Sequence, residues 1–96
     1  MVTHIVFWQL KPEAEGHTKE ENALIIKERL EALVGVIPGL RDMAIGRNLN
    51  GGEYDLCLLS HFDSMEALQA YEQHPEHRKI RMFVSGVRTK RASVDF

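Results

Sequence analysis

The stretch FDSMEALQAYEQHPEH, Phe62–His77, decides how the rest of the chain is arranged. Asp63 followed three residues later by Glu66 is a helix-start signature. A helix from Ser64 to about Glu72 then carries Leu68 and Tyr71 on its inner face. His74-Pro75 interrupts it, because the residue before a proline is pushed out of helical geometry while proline itself suits the first turn of a new helix. The sequence therefore predicts two helical pieces. The second spans about 75–84, turns His77, Ile80 and either Phe83 or Val84 inward, and is ended by Gly86. His74 reads as a cap at the break and as a candidate neighbour of any pocket formed there.

Outward from this stretch, Tyr54 to Phe62 reads as a strand, and 48–52 (NLNGG) as a hairpin connection to a weaker strand over 40–48. In that weaker strand, alternation sets Leu40, Ala44 and Gly46 against Met43 and Ile45. Thr18 with Glu21 forms a capping box for a helix over about 18–35. Its apolar stripe is Ala23, Ile26, Leu30, Leu33 and Ile37, widened by Leu24 and Val34. Gly35 is the expected C-cap, and Pro38-Gly39 prevents continuation. Residues 87–96 return to a strand, with Ala92, Val94 and Phe96 on one face and Arg91, Ser93 and Asp95 on the other.

The first strand, residues 2–10, carries large apolar groups on both faces. His4, Val6, Trp8 and Leu10 lie on one side, and Thr3, Ile5, Phe7 and Gln9 on the other. The element order is β-α-β-β-α-β, the ferredoxin-like split unit: an α+β fold whose four-stranded antiparallel sheet has helices on one face. Ninety-six residues make one domain over 1–96. Ile5 and Phe7 would then lie on an uncovered sheet face. The economical partner for that face is a second copy, giving a two-fold dimer that closes a barrel.

Composition narrows the function classes. The net charge of −2 argues against nucleic-acid binding by bulk charge. Half of the basic residues fall in the C-terminal stretch from Arg78 to Arg91, which reads first as a solvated face or the partner of acidic residues elsewhere and second as a phosphate-binding patch. The single Cys57 excludes an internal disulfide and reads as a small buried hydrophobe. Neither a signal peptide nor a run of ~18 apolar residues is present, so a cytoplasmic protein without a membrane partner is expected. His74 and His77, with His4 as a third, have a spacing compatible with metal ligands, but no carboxylate or cysteine completes a set. No metal and no cofactor are expected. His17 and His61 read as ordinary surface residues, and Trp8 as core more readily than as a stacking platform.

The VTHIVFW start, IPGLRD at 37–42 and the 62–77 stretch, in this order and spacing, resemble the stress-responsive α/β-barrel domain family along essentially the whole chain. The resemblance implies a homodimer formed through the sheets, and a protein of unassigned specific activity with a small-molecule pocket between sheet and helices. One plant member of the family is a polyketide cyclase that performs an intramolecular aldol condensation without metal or organic cofactor. Its tyrosine–histidine pair matches Tyr71 and His77, and its first-strand histidine matches His4. The cavity-wall residues of that member show no clear match here. On this resemblance Tyr71 is the candidate donor and His77 the candidate base, with His4 set to hydrogen-bond His77 and fix its tautomer. The same architecture also hosts small cofactor-free monooxygenases, which makes oxygen chemistry a variant of the enzymatic reading.

Overall fold

The computed structural model describes Met1–Phe96 throughout. Its elements are β1 (Val2–Leu10), β2 (Glu13–Ala14), β3 (His17–Thr18), α1 (Lys19–Glu31), β4 (Leu40–Arg47), β5 (Leu56–Phe62), α2 (Met65–Gln73), α3 (Pro75–Val87) and β6 (Arg88–Asp95). The four long strands form one antiparallel sheet in the order β4-β5-β1-β6. This is the expected ferredoxin-like topology, with β1 in the middle and β4 and β6 at the edges. The small β2–β3 hairpin was not foreseen. It turns through Glu15 and Gly16, both at positive φ.

Residues directly opposite in an antiparallel pair share a face. On β1 the inner set is His4, Val6, Trp8 and Leu10, all buried beneath the helices. With them lie Leu56, Leu58, Ser60 and Phe62 of β5. From above, Ala23, Ile26, Leu30, Leu33, Ile37, Leu68, Tyr71, Ile80, Val84 and Val87 complete the core. Each such apolar side chain contributes about 1.5–3 kcal/mol by leaving water, which is why this face fixes the register of the whole sheet.

Several local expectations are corrected. The α-helix α1 ends at Glu31 with Ala32 as its cap, and the chain continues to Ile37 in turns through Gly35 at φ +87. Val34, past the helix end, is on the surface, and Leu24 within the helix lies on its outer side, so neither joins the stripe. The cap of α2 is Ser64, whose Oγ accepts the Ala67 N–H at 3.1 Å. Asp63 instead pairs with Arg41 at 3.2 Å. Gly86 does not end α3, which runs on to Val87 before the extended Arg88. In β4 a bulge between Leu40 and Asp42 changes the alternation, so Leu40 faces the core together with Met43 and Ile45. Strand β5 begins at Leu56, leaving Tyr54 in the connection, where its ring packs 5.7 Å from that of Phe7.

Side chains tie the layers together at their margins. Glu31 accepts the Ile45 N–H at 2.9 Å while Lys27 donates to the Ile45 carbonyl at 2.9 Å, fastening α1 to β4. Asp55 accepts the Leu10 N–H at 2.7 Å and faces Lys19 at 3.4 Å, holding the end of β1. Asn22, fully buried, donates to the Ala14 carbonyl at 3.1 Å and anchors the β2–β3 hairpin on α1.

Gly39 sits at φ +85 at the entrance to β4, where a Cβ would come within 2.6 Å of the Ala67 side chain on α2. Gly16 shares the positive φ but faces open space. Replacing either by alanine incurs backbone strain of about 1 kcal/mol. Gly39→Ala also separates α2 from the sheet, for a total of about 2–4 kcal/mol. Urea denaturation of the two variants should therefore show Gly39→Ala clearly the less stable. Equal losses would mean that the close approach is unimportant.

Candidate functional site

The helix break does what its sequence requires. His74 is extended (φ −65, ψ 133), ends α2, and caps α3 by accepting the Glu76 N–H on its Nδ1 at 3.1 Å. Pro75 occupies the first turn of α3. The change of direction brings Tyr71 from α2 and His77 from α3 into contact, with ring centroids 4.1 Å apart and planes inclined by 36°. On one unbroken helix, residues six apart would face opposite sides. Tyr71 also packs on Phe62 at 4.9 Å, and Phe62 meets the His4 ring edge-on at 6.2 Å.

These residues border a cavity of about 1020 Å³ between α3 and the β1–β6 side of the sheet. His4, Trp8, Tyr71 and His77 all line it; His74 does not, because its capping role holds it at the break. The apolar part of the wall comes from residues such as Val6, Leu30, Leu58 and Ile80. Tyr71 is only 1% exposed, so it supplies little of the wall's area. Trp8 is 5% exposed and is core as much as cavity wall.

His4 does not hold His77. Its Nδ1 is engaged by the Asp95 carboxylate, its cross-strand partner on β6. A carboxylate accepts, so Nδ1 carries the proton and Nε2 is left as the free ring nitrogen. The His4 carbonyl in turn accepts the Ser60 hydroxyl at 3.1 Å. Asp95 was missed as a site residue in the sequence because the contact spans 91 positions and depends on strand register. Ser93, also on the cavity wall, was missed for the same reason, and Arg88 and Arg91 were read only as part of the C-terminal basic stretch, not as cavity residues.

His77 Nδ1 is buried without a hydrogen-bond partner. Burial holds the imidazole pKa down to about 4. The nearby Glu72 carbonyl opposes this, and the charges of Arg81, His4 and Arg91 add to it. The ring is therefore neutral at pH 7 and able to accept a proton or a hydrogen bond. Burial pushes the Tyr71 phenol up, as does the Glu72 charge, while Arg91 pulls it down. It stays protonated and can donate. No three His, Cys, Asp or Glu side chains are grouped as metal ligands. His17 lies in the β2–β3 hairpin 4.0 Å from Glu21, and His61 pairs with Asp42 at 2.6 Å, both away from the cavity.

The low pKa of His77 has a stability consequence. An unfolded histidine titrates near ~6.5, so below that pH the unfolded chain takes up a proton that the fold resists. Stability is complete above about pH 6.5 and is lost as pH falls toward 4. The ring is only partly buried, and solvent screening leaves an effect of about 1–2 kcal/mol. Urea unfolding of wild type and His77→Gln at pH 7 and pH 4.5 measures it. The variant should lose about 1–2 kcal/mol less than wild type between the two pH values, and identical losses would contradict a buried neutral ring.

The fold has close relatives among solved structures. A dimeric protein of unknown function and ferredoxin-like fold from Bacteroides fragilis is 31% identical, with 99% of this chain and 93% of that chain covered at a TM-score of 0.82. A dimeric ferredoxin-like protein of unknown function from Thermobifida fusca is 25% identical over 99% of this chain and 88% of that one, also at 0.82. A protein from Arabidopsis thaliana is 25% identical over 100% of this chain and 93% of that one, at 0.81. No curated protein matches the chain. The profile of the stress-responsive A/B barrel domain matches residues 2–96, the span that holds every strand of the sheet and every residue of the cavity, and the chain belongs to that family, Dabb.

Proposed function

We propose that two copies of the chain pack sheet against sheet, and that each binds a small organic molecule in the cavity between its sheet and helices. The observation that carries the ligand reading is the cavity itself. It is large enough for a drug-sized molecule and combines an apolar part, from residues such as Val6, Trp8, Leu58 and Ile80, with a larger number of polar and charged side chains. Among the lining residues are Tyr71 and His77, the latter with a ring nitrogen that has no hydrogen-bond partner in the chain. Polar groups left unpaired at a cavity wall favour a ligand that pairs them.

The dimer reading is supported by the open face of the sheet. Ile5, Phe7, Cys57, Leu59, Ala92 and Val94 share that face, opposite one another in register. Leu59, Val94 and Phe96 are exposed, and no helix lies on that side. The Bacteroides and Thermobifida relatives are described as dimeric. No helix is long and apolar enough to cross a membrane. A cytoplasmic location belongs to the same reading, supported by the globular composition and the single free cysteine.

The geometry also favours a second reading, a cofactor-independent cyclase. His77 would take a proton from carbon beside a carbonyl, and the Tyr71 hydroxyl would donate to the enolate oxygen as charge develops there. The enolate carbon would then bond to a second carbonyl carbon of the same molecule, whose oxygen takes its proton back from the imidazolium. A base whose conjugate acid titrates near 4 suits acidic carbon positions, such as those between two carbonyls. The contact of the two rings at 4.1 Å, with both residues on the cavity lining, is what supports this reading.

A thermal-shift ligand screen on wild type beside His77→Ala and Tyr71→Phe tests the pocket. A ligand present at about 100 times its Kd adds about 2.7 kcal/mol, or roughly 11–22 °C for a domain of this size. Genuine pocket ligands should lose most of that shift in His77→Ala; hits indifferent to both substitutions would place binding elsewhere. For the dimer, sedimentation should give about twice the chain mass. Ile5→Asp or Phe7→Asp should yield monomer or aggregate, while Met82→Asp on the exposed side of α3 should stay dimeric. An undisturbed dimer in the first two would exclude pairing through the sheet face.

A further inference from the structure

The chain as a whole carries a net charge of −2, yet the cavity wall reverses that sign. Five basic side chains line it against two acidic ones. One acid, Asp95, is already engaged by His4, and one base, Lys79, is paired with Glu76. Arg78, Arg81, Arg88 and Arg91 remain, and none of them forms an ion pair within the chain. The other arginines are occupied: Arg41 with Asp63, Arg47 with Glu20, and Arg29 over the Phe83 ring. Unpaired guanidinium groups are thus concentrated at this one cavity.

Their placement depends on a specific backbone feature. Strict alternation along β6 would put Arg88 and Arg91 on opposite faces. The β1–β6 register instead shifts between Gln9 and Leu10, with Thr89 as the extra residue. Arg88 consequently lies opposite Leu10 and Arg91 opposite Trp8, both on the helix-facing side. The Thr89 hydroxyl, donating toward the Gln9 carbonyl and side chain, fastens the bulge. Bulges re-aim side chains in this way at functional edges. Arg91 is exposed at the cavity rim, on the same wall as Tyr71 and His77.

We propose that the cavity takes an organic anion, with a carboxylate or phosphate head held between the strand-borne Arg88 and Arg91 and the helix-borne Arg78 and Arg81. The apolar body of the ligand lies along Trp8 and Leu58 toward the Tyr71–His77 pair. Arginine suits such a head because its planar fork matches the oxygens of either group. This assignment rests on the ligand-binding reading above and specifies the class of molecule that the pocket accepts.

The test uses 4-butylbenzoate, 4-butylbenzamide and 4-butylphenyl phosphate, three probes with a common body and different heads, titrated calorimetrically at pH 7.5. The benzoate or the phosphate should bind about ten-fold or more tighter than the amide. Whichever is tighter identifies the head group. In Arg88→Gln/Arg91→Gln the anion preference should fall to about one-fold, and in Arg41→Gln, outside the cavity, it should be unchanged. An amide that binds as tightly as the anions, or a preference that survives the double substitution, overturns the anion assignment while leaving the pocket as a binding site. Failure of all three probes to bind at about 1 mM overturns the assignment as well; the His77-dependent thermal shifts then decide the pocket reading separately.

Discussion

The structure depends on a constraint in β1. This central strand carries bulky apolar groups on both faces, while the helices of one chain can cover only one of them. Val6, Trp8 and Leu10 hold the register by being buried, and a slip of one residue would exchange them with Ile5, Phe7 and Gln9. Because that register is fixed, His4 must face inward and meet Asp95, and Ile5 and Phe7 must face outward with Leu59 and Val94. The polar end of the cavity and the apolar open face are therefore two results of one alternating pattern.

The helix break is the second determinant, and the two act together. Without His74-Pro75, Tyr71 and His77 would diverge. With it they stack over the end of β1, where Phe62 links Tyr71 to His4. The cavity opens toward edge strand β6, whose inward side is polar and is only loosely covered by α3. A fold that packs its interior tightly around β1 and β5 thus keeps its adaptable space at the margin, where side chains can be exchanged at little cost to the core.

What was legible in the sequence was whatever depends on neighbours in the chain. The strand alternation of β1, the capping box of Thr18 and Glu21, and the break at His74 are local patterns, and they appear as read. Local competition between similar signals was harder. Asp63 and Ser64 are both good caps, and the pairing of Asp63 with Arg41 across 22 residues leaves the role to Ser64. The extra residues at Arg41 and Thr89 are invisible to periodicity, because a bulge is set by how two strands settle against each other. That is also why His4, Tyr71 and His77 could be singled out as one site while Asp95 could not, and Arg88 and Arg91 were legible only as part of a basic stretch. The first three sit in recognisable motifs, and the others join the site only through cross-strand register.

The clamp of Lys27 and Glu31 on the peptide of Ile45 has a consequence beyond joining helix to sheet. An edge strand with free N–H and C=O groups is a template on which a further strand can add, and such growth has no natural end. Here both backbone groups of one β4 residue are already saturated by helix side chains. Lateral extension of the sheet into ribbons is obstructed at that edge. In the sheet-to-sheet dimer proposed above, self-association would instead use the broad face, where a two-fold contact uses up its own surface and stops. A pair of charged side chains on α1 is in this sense a safeguard against open-ended polymerisation.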